Sequence, residues 1–296
     1  MRAKVRDTEI YFDVEGMGLV PDGNRMREKP VAFVIHGGPG GEHSGFKPGM
    51  SPLAQKMQIV YFDHRGQGRS ARGDVTKYNL DENVEDMEAL RVHLGLGPIV
   101  SIGTSYGGMV AMAHAARYPD AVSHLILIVT AAHAGFNARA RQIVAERGTA
   151  EQKKVCDQLW AGELRTQAQL LHYYETMGPM YAVKFDPVAS KAGRARGILA
   201  PDAINQAFAP GGFLQSFDLR PELANITAPT LICAGRHDWI CPVEFSEEIH
   251  GLIPGSDFRV FEHSSHSIRG DEPEALNDAI AGFVVYNTAR GGAAAR

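Results

Sequence analysis

The chain has 296 residues, 44% hydrophobic and 22% charged, with a formal net charge of -4, the balance of a globular α/β protein with room for a sizeable core. The weak charge and the lack of a basic cluster interleaved with aromatics argue against nucleic acid as a partner, and no stretch approaches the roughly 20 apolar residues that span a membrane. The cysteines, Cys156, Cys233 and Cys241, are odd in number and irregularly spaced, and do not read as a disulfide framework or a zinc site.

The N-terminal residues hold no apolar run of signal-peptide length, so a reducing cytoplasm is the expected compartment. Two short alternating runs, Ala3–Val5 and Glu9–Val14, parted by Arg6-Asp7-Thr8, predict an antiparallel hairpin. A polar loop is expected over Gly16 to Pro30. Then come four short, nearly all-apolar runs: Val31–Ile35, Gln58–Phe62, Ile99–Ile102 and Leu125–Val129. Strands of that kind are covered on both faces, and a helical pattern from Leu80 to Leu94 lies between two of them. Alternation of this sort predicts a mostly parallel sheet wrapped by helices.

After Val129 the strand pattern stops, and from Ala138 to about Gln206 the signal is helical. Strand character returns at Pro229–Gly235 and Phe258–Glu262, with helices near Val243–Leu252 and Pro273–Tyr286. The tail ARGGAAAR reads as frayed. The expected organisation is a core of residues 1–130 and 226–290 with a helical cap, 131–225, inserted after the sixth strand. About 95 residues are too many for a simple connection.

Gly103-Thr104-Ser105-Tyr106-Gly107 follows the Ile99–Ile102 run and precedes an alanine-rich helical stretch. G-x-S-x-G at a strand-to-helix turn lifts the serine above the sheet edge, at the positive end of a helix. A serine hydroxyl becomes a nucleophile when a histidine accepts its proton and an acid orients the histidine. Asp238 lies just past the strand ending at Gly235, and His266 just past the one ending at Glu262. Ser105, Asp238 and His266 thus fall on one rim of the sheet in the order Ser, Asp, His. His263 and His237 are nearby rivals for the base. His36-Gly37-Gly38-Pro39-Gly40 follows Val31–Ile35 and reads either as a plain turn or as a loop whose Gly38 N–H joins that of Tyr106 in holding an oxyanion. His36 is expected to be structural and His43 to line the site. Asp63 and Arg65 read as a pair that fixes a loop.

With HGGPG at 36–40, DHRGQGRS at 63–70, GTSYGG at 103–108 and GRHDWICP at 235–242, the chain resembles the proline iminopeptidase-type branch of the α/β-hydrolases. The resemblance implies the α/β-hydrolase fold, an acyl-enzyme mechanism without cofactor or metal, and an oxyanion hole from the N–H groups of Gly38 and Tyr106. It also implies a peptidase that removes an N-terminal residue, holding the substrate's amine with acids. The chain departs there: Trp239 stands where an acid commonly follows the triad aspartate, and INQAFAPGGF, in the late cap, contains none. The aromatic stretch Leu170 to Tyr181 offers Tyr174 or Met177 to the pocket, and Glu175 as a replacement anchor. The expected partner is a small-molecule or short-peptide substrate, cleaved at an amide or ester. Esterase, lactonase and acyltransferase chemistry, or a non-catalytic receptor on the same fold, are the alternatives.

Overall fold

The computed structural model describes residues 1–294. Seven of the eight strands of the main sheet run in one direction. In space the order is β1 (Arg2–Val5), β2 (Thr8–Glu15), β6 (Gln58–Phe62), β5 (Val31–Ile35), β7 (Ile99–Thr104), β8 (Val122–Ile128), β9 (Thr230–Gly235) and β10 (Asp257–Phe261). Only β2 runs against the rest, pairing antiparallel with β1 and with β6. Residues 16–30, read from sequence as loop, contain a second hairpin, β3 (Leu19–Asp22) with β4 (Arg25–Glu28). Its residues are almost all exposed, so no burial alternation marks it in the sequence. The helical stretch accordingly follows β8, the sixth strand of the main sheet along the chain.

The period of two along each strand splits the core into halves. On β5, Phe33 and Ile35 pack on one face with Phe62, Tyr106 and Met109, while Ala32 and Val34 pack on the other with Tyr61, Ile102 and Leu276. Helices α2 (Leu80–His93) and α3 (Tyr106–Arg117) cover the first face; α1 (Lys47–Met50), α10 (Ile268–Asp271) and α11 (Pro273–Ala294) lie towards the second. Helix α9 (Val243–Leu252) connects β9 to β10. Of the tail read as frayed, residues 289–294 continue α11, and 295–296 lie outside the described residues.

Between β8 and β9 the described elements are helical: α4 (Phe136–Arg147), α5 (Ala150–Ala161), α6 (Gln167–Tyr181), α7 (Pro187–Arg194) and α8 (Pro201–Phe208), with short 3-10 turns after them. Capping boxes start α5 at Thr149 with Gln152, and α6 at Thr166 with Gln169, each satisfying donors that a helix start leaves open. Val155, Leu159, Leu170 and Met177 join the first core. Among the described residues, no helix is long and apolar enough to cross a membrane.

Candidate active site

Ser105 sits at φ 55°, ψ -122°, a backbone conformation costly for a residue with a side chain. The turn is held because its neighbours are glycine: a Cβ on Gly103 would stand 2.3 Å from the Gly107 carbonyl oxygen, and one on Gly107 would stand 2.2 Å from that of Ile35. The Ser105 N–H donates to the Ile128 carbonyl at 2.9 Å, and its own carbonyl accepts from Thr130 Oγ1 at 2.8 Å. The end of β8 and the residues just after it thus hold the strained residue by both its N–H and its carbonyl.

His266 and Asp238 come from the loops after β10 and β9. Gly235 lets those loops meet, since a Cβ there would lie 2.1 Å from the Ser265 carbonyl oxygen. His266 Nε2 is 2.9 Å from Ser105 Oγ, and its Nδ1 is 2.8 Å from Asp238 Oδ2. A carboxylate only accepts, so Nδ1 carries the proton and the Nε2 lone pair faces the serine hydroxyl. The other carboxylate oxygen, Oδ1, accepts from the N–H groups of Ile240 at 2.8 Å and Cys241 at 3.1 Å, which fixes its plane. Asp238 is 4% exposed and His266 6%, so the line is largely screened from bulk water. The rivals His237 and His263 are exposed.

Ser105 and His266 open onto a cavity of about 660 Å³ that Gly38, Tyr106, Tyr174 and Trp239 also line. Tyr106 is the first residue of α3, where a helix leaves N–H groups without internal partners. Gly38 has φ 126°, and a Cβ on it would meet the nitrogens of Gly40 and Gly41 at 2.9 Å. Tyr181, not singled out from sequence, stands edge-on to both His266 and Trp239, its ring centroid 5.7 Å from each of theirs.

Other expectations need correction. Glu175 and Met177 do not line the cavity. On α6 the turn that aims Tyr174 inward carries the next residue about 100° further round, and Met177 is buried against Cys156. His43 lies outside the cavity because Asp63 Oδ1 accepts from both its N–H, at 2.9 Å, and its Nδ1, at 2.7 Å. Asp63 and Arg65 are both buried scaffold but are not partners: Asp63 also takes the Arg69 N–H, while Arg65 forks onto Asp86 with two contacts of 2.6 Å. His36 is buried beside His64, and burial depresses the pKa of both below the ordinary histidine value, which suits a neutral structural pair.

Among the described residues one group of side chains is close enough to share a metal ion, Glu42, His43 and Asp63. Its atoms are already engaged with one another and with Arg69, whose Nη1 is 2.7 Å from Glu42 Oε2. Asp271 was invisible from sequence, in a run of charges that reads as solvated. It is 1% exposed and accepts from the N–H groups of Ser265 at 3.0 Å, Val183 at 3.1 Å and Lys184 at 2.8 Å. It ties the loop that carries His266 to the chain leaving α6.

Residues 30–273 match a family model described as the alpha/beta hydrolase fold. The chain is 28% identical over 274 residues to proline iminopeptidase PfmaB from Pestalotiopsis fici, covering 90% of this chain and 95% of that one. Among solved structures it superimposes on an esterase, EaEST, from Exiguobacterium antarcticum with a TM-score of 0.75 at 22% identity, covering 96% of this chain and 98% of the other. The proline iminopeptidase of Mycobacterium smegmatis gives a TM-score of 0.75 at 21% identity, with 98% and 99% covered. At such identity the two superpositions speak for the fold.

Proposed function

This chain belongs to the α/β-hydrolase fold family, of the proline iminopeptidase type, and we propose that it is a serine hydrolase in which Ser105, His266 and Asp238 form the catalytic triad. The hydrogen-bonded line from Asp238 through His266 to Ser105, ending at a cavity, carries this reading. Ser105 Oγ attacks the carbonyl carbon of an ester or amide as its proton passes to His266 Nε2. The N–H groups of Gly38 and Tyr106 hold the oxyanion. His266 then gives the proton to the leaving alcohol or amine, whose bond to the acyl carbon breaks. Water, deprotonated by the same imidazole, releases the acid and restores Ser105. Asp238 holds the imidazole in the tautomer this sequence requires.

In this reading residues 1–130 and 226–290 are the hydrolase core, and 131–225 form a cap whose Tyr174 lines the same cavity as Trp239. The substrate is a small molecule or short peptide, and a free N-terminal amine is not required of it. Two observations support that last point. Trp239 offers an ammonium only a cation–π contact, about 1–2 kcal/mol when desolvated. Glu175 does not line the cavity.

The test is a panel of aryl esters, amino-acid arylamides and N-acylated arylamides, given to wild type and to Ser105→Ala. Loss of a triad nucleophile removes roughly 10⁴ to 10⁶ in turnover, so the variant should be inactive with an unchanged melting profile. A Ser105→Ala protein that keeps a tenth of wild-type activity refutes the assignment.

A further inference from the structure

The cavity beside Ser105 has an unbalanced charge that the chemistry above does not use. Its two acids are engaged. Glu42 is held by Arg69, and Asp186 caps α7 by accepting from Val188 and Ala189 at 2.8 and 3.1 Å. Of its cations, Lys184 donates to the Asp271 carbonyl at 3.0 Å, and Arg196 is exposed. Arg194 and Arg269 are different. Each is only partly exposed and lines the cavity, and neither has a carboxylate partner among the described residues. Each lies over a ring instead: Arg194 Cζ is 4.3 Å from the centroid of Tyr174, and Arg269 Cζ is 4.2 Å from that of Phe46. The buried Arg194 Nε has no hydrogen-bond partner. Burial, with the repulsion of Arg194, lowers the Arg269 pKa to about 10. Two half-buried guanidiniums within each other's field, held in place with their donors open, are an unfavourable arrangement unless an anion completes it.

We propose that Arg194 and Arg269 form a carboxylate-binding subsite, so that the ester or amide cleaved at Ser105 carries a carboxylate elsewhere in the molecule. The proposal rests on the reading of Ser105 as nucleophile, and it specifies the substrate class of that site. A planar carboxylate matches the guanidinium fork. Arg269 is three residues beyond His266, which puts the subsite on the same rim as the reacting atoms, and Tyr174 and Trp239 supply apolar wall for the acyl chain. A substrate held by its carboxylate needs no amine anchor, in keeping with the loss of acids at Trp239 and in the late cap.

The test uses half-acid 4-nitrophenyl esters of straight-chain dicarboxylic acids, adipate to sebacate, each paired with its methyl diester. Calorimetry measures their binding to the Ser105→Ala protein, where no turnover intervenes. The half-acid of the length that spans the two sites should bind about 10- to 100-fold more tightly than its diester, the range of one hydrogen bond to a charged group. Arg194→Gln and Arg269→Gln, each added to Ser105→Ala, should bring the ratio to within about threefold of unity, while the affinity of the diester, which carries no free carboxylate, stays within about threefold in both variants and checks that lost packing on Phe46 or Tyr174 is not the cause. Equal binding of half-acid and diester at every length, no binding of any half-acid, or a preference that either glutamine variant retains in full would each overturn the subsite. Failure of the nucleophile reading shows separately, as a wild-type Ser105 that a fluorophosphonate does not modify, and leaves this binding measurement intact.

Discussion

Replacing Asp271 by asparagine tests how the site is held together. The carboxylate accepts three backbone N–H groups, from Ser265, Val183 and Lys184, and is almost wholly buried. Asparagine fits the space, but one of its two ends becomes an NH₂ that faces donors. Whichever way the amide turns, at least one buried N–H loses its acceptor. Each orphaned donor costs about 1–3 kcal/mol, and hydrogen bonds that keep an acceptor lose the charged part of their strength. A total of about 3–5 kcal/mol is expected, the range found when a buried charge network loses one member. For a chain of this length that lowers the melting temperature by roughly 5–10 °C. The loop carrying His266 loses its tether at Ser265, so kcat should fall with the serine–histidine distance. A misplacement near 1 Å costs on the order of 10²-fold, and KM should move far less. Thermal melts and steady-state kinetics on any ester the wild type accepts read both effects. A variant that melts within a degree of wild type and turns over at the same rate refutes the reasoning. A fall in stability with kcat unchanged refutes the link to His266.

Other consequences follow from the same contacts. Gly235→Ala drives a Cβ to within 2.1 Å of the Ser265 carbonyl oxygen, so kcat should fall by roughly 10² or more through displacement of the His266 loop; near wild-type kcat would show that the loop yields freely. Wild type should cleave an N-acetylated amino-acid arylamide at least as well as the free-amine form, and a strong preference for the amine would restore an aminopeptidase reading. Burial opposes ionisation of Glu88, but hydrogen bonds from Arg91 and His114 outweigh it and bring its pKa from 4.5 to about 2. Its stabilising effect is therefore complete above pH 4.5 and fades as the pH falls towards 2. The gap in urea midpoint between wild type and Glu88→Gln should narrow from pH 7 to pH 3, and a constant gap would contradict it.

What was legible from sequence divides along physical lines. Buried strands such as Val31–Ile35 announce themselves because both faces are covered, which leaves an unbroken apolar run. That Ser105, Asp238 and His266 would come together was legible because each follows a strand end directly, and strand ends of a parallel sheet share one rim. The hairpin at Leu19–Glu28 was not, since exposed strands carry no burial pattern. Glu175 was misread because its place depends on which way α6 is rotated, which Tyr174 settles by packing inward. Asp63 and Arg65 sit two apart in a turn, and each finds its partner from a distant segment, His43 for one and Asp86 for the other. Asp271 joins residues 87 and 88 positions away, and Arg194 and Arg269 come into one another's field only after the helices are docked. No local pattern encodes such meetings.

The central claim is that Ser105 is an activated nucleophile, and chemical modification addresses it most directly. Wild-type protein treated with a fluorophosphonate should gain one phosphonyl group by intact mass, mapped to Ser105 by peptide sequencing. The labelling rate should fall by orders of magnitude in His266→Gln, which removes the proton acceptor 2.9 Å from the hydroxyl. Modification at another residue, no modification at all, or equal labelling of the His266→Gln protein would contradict the account.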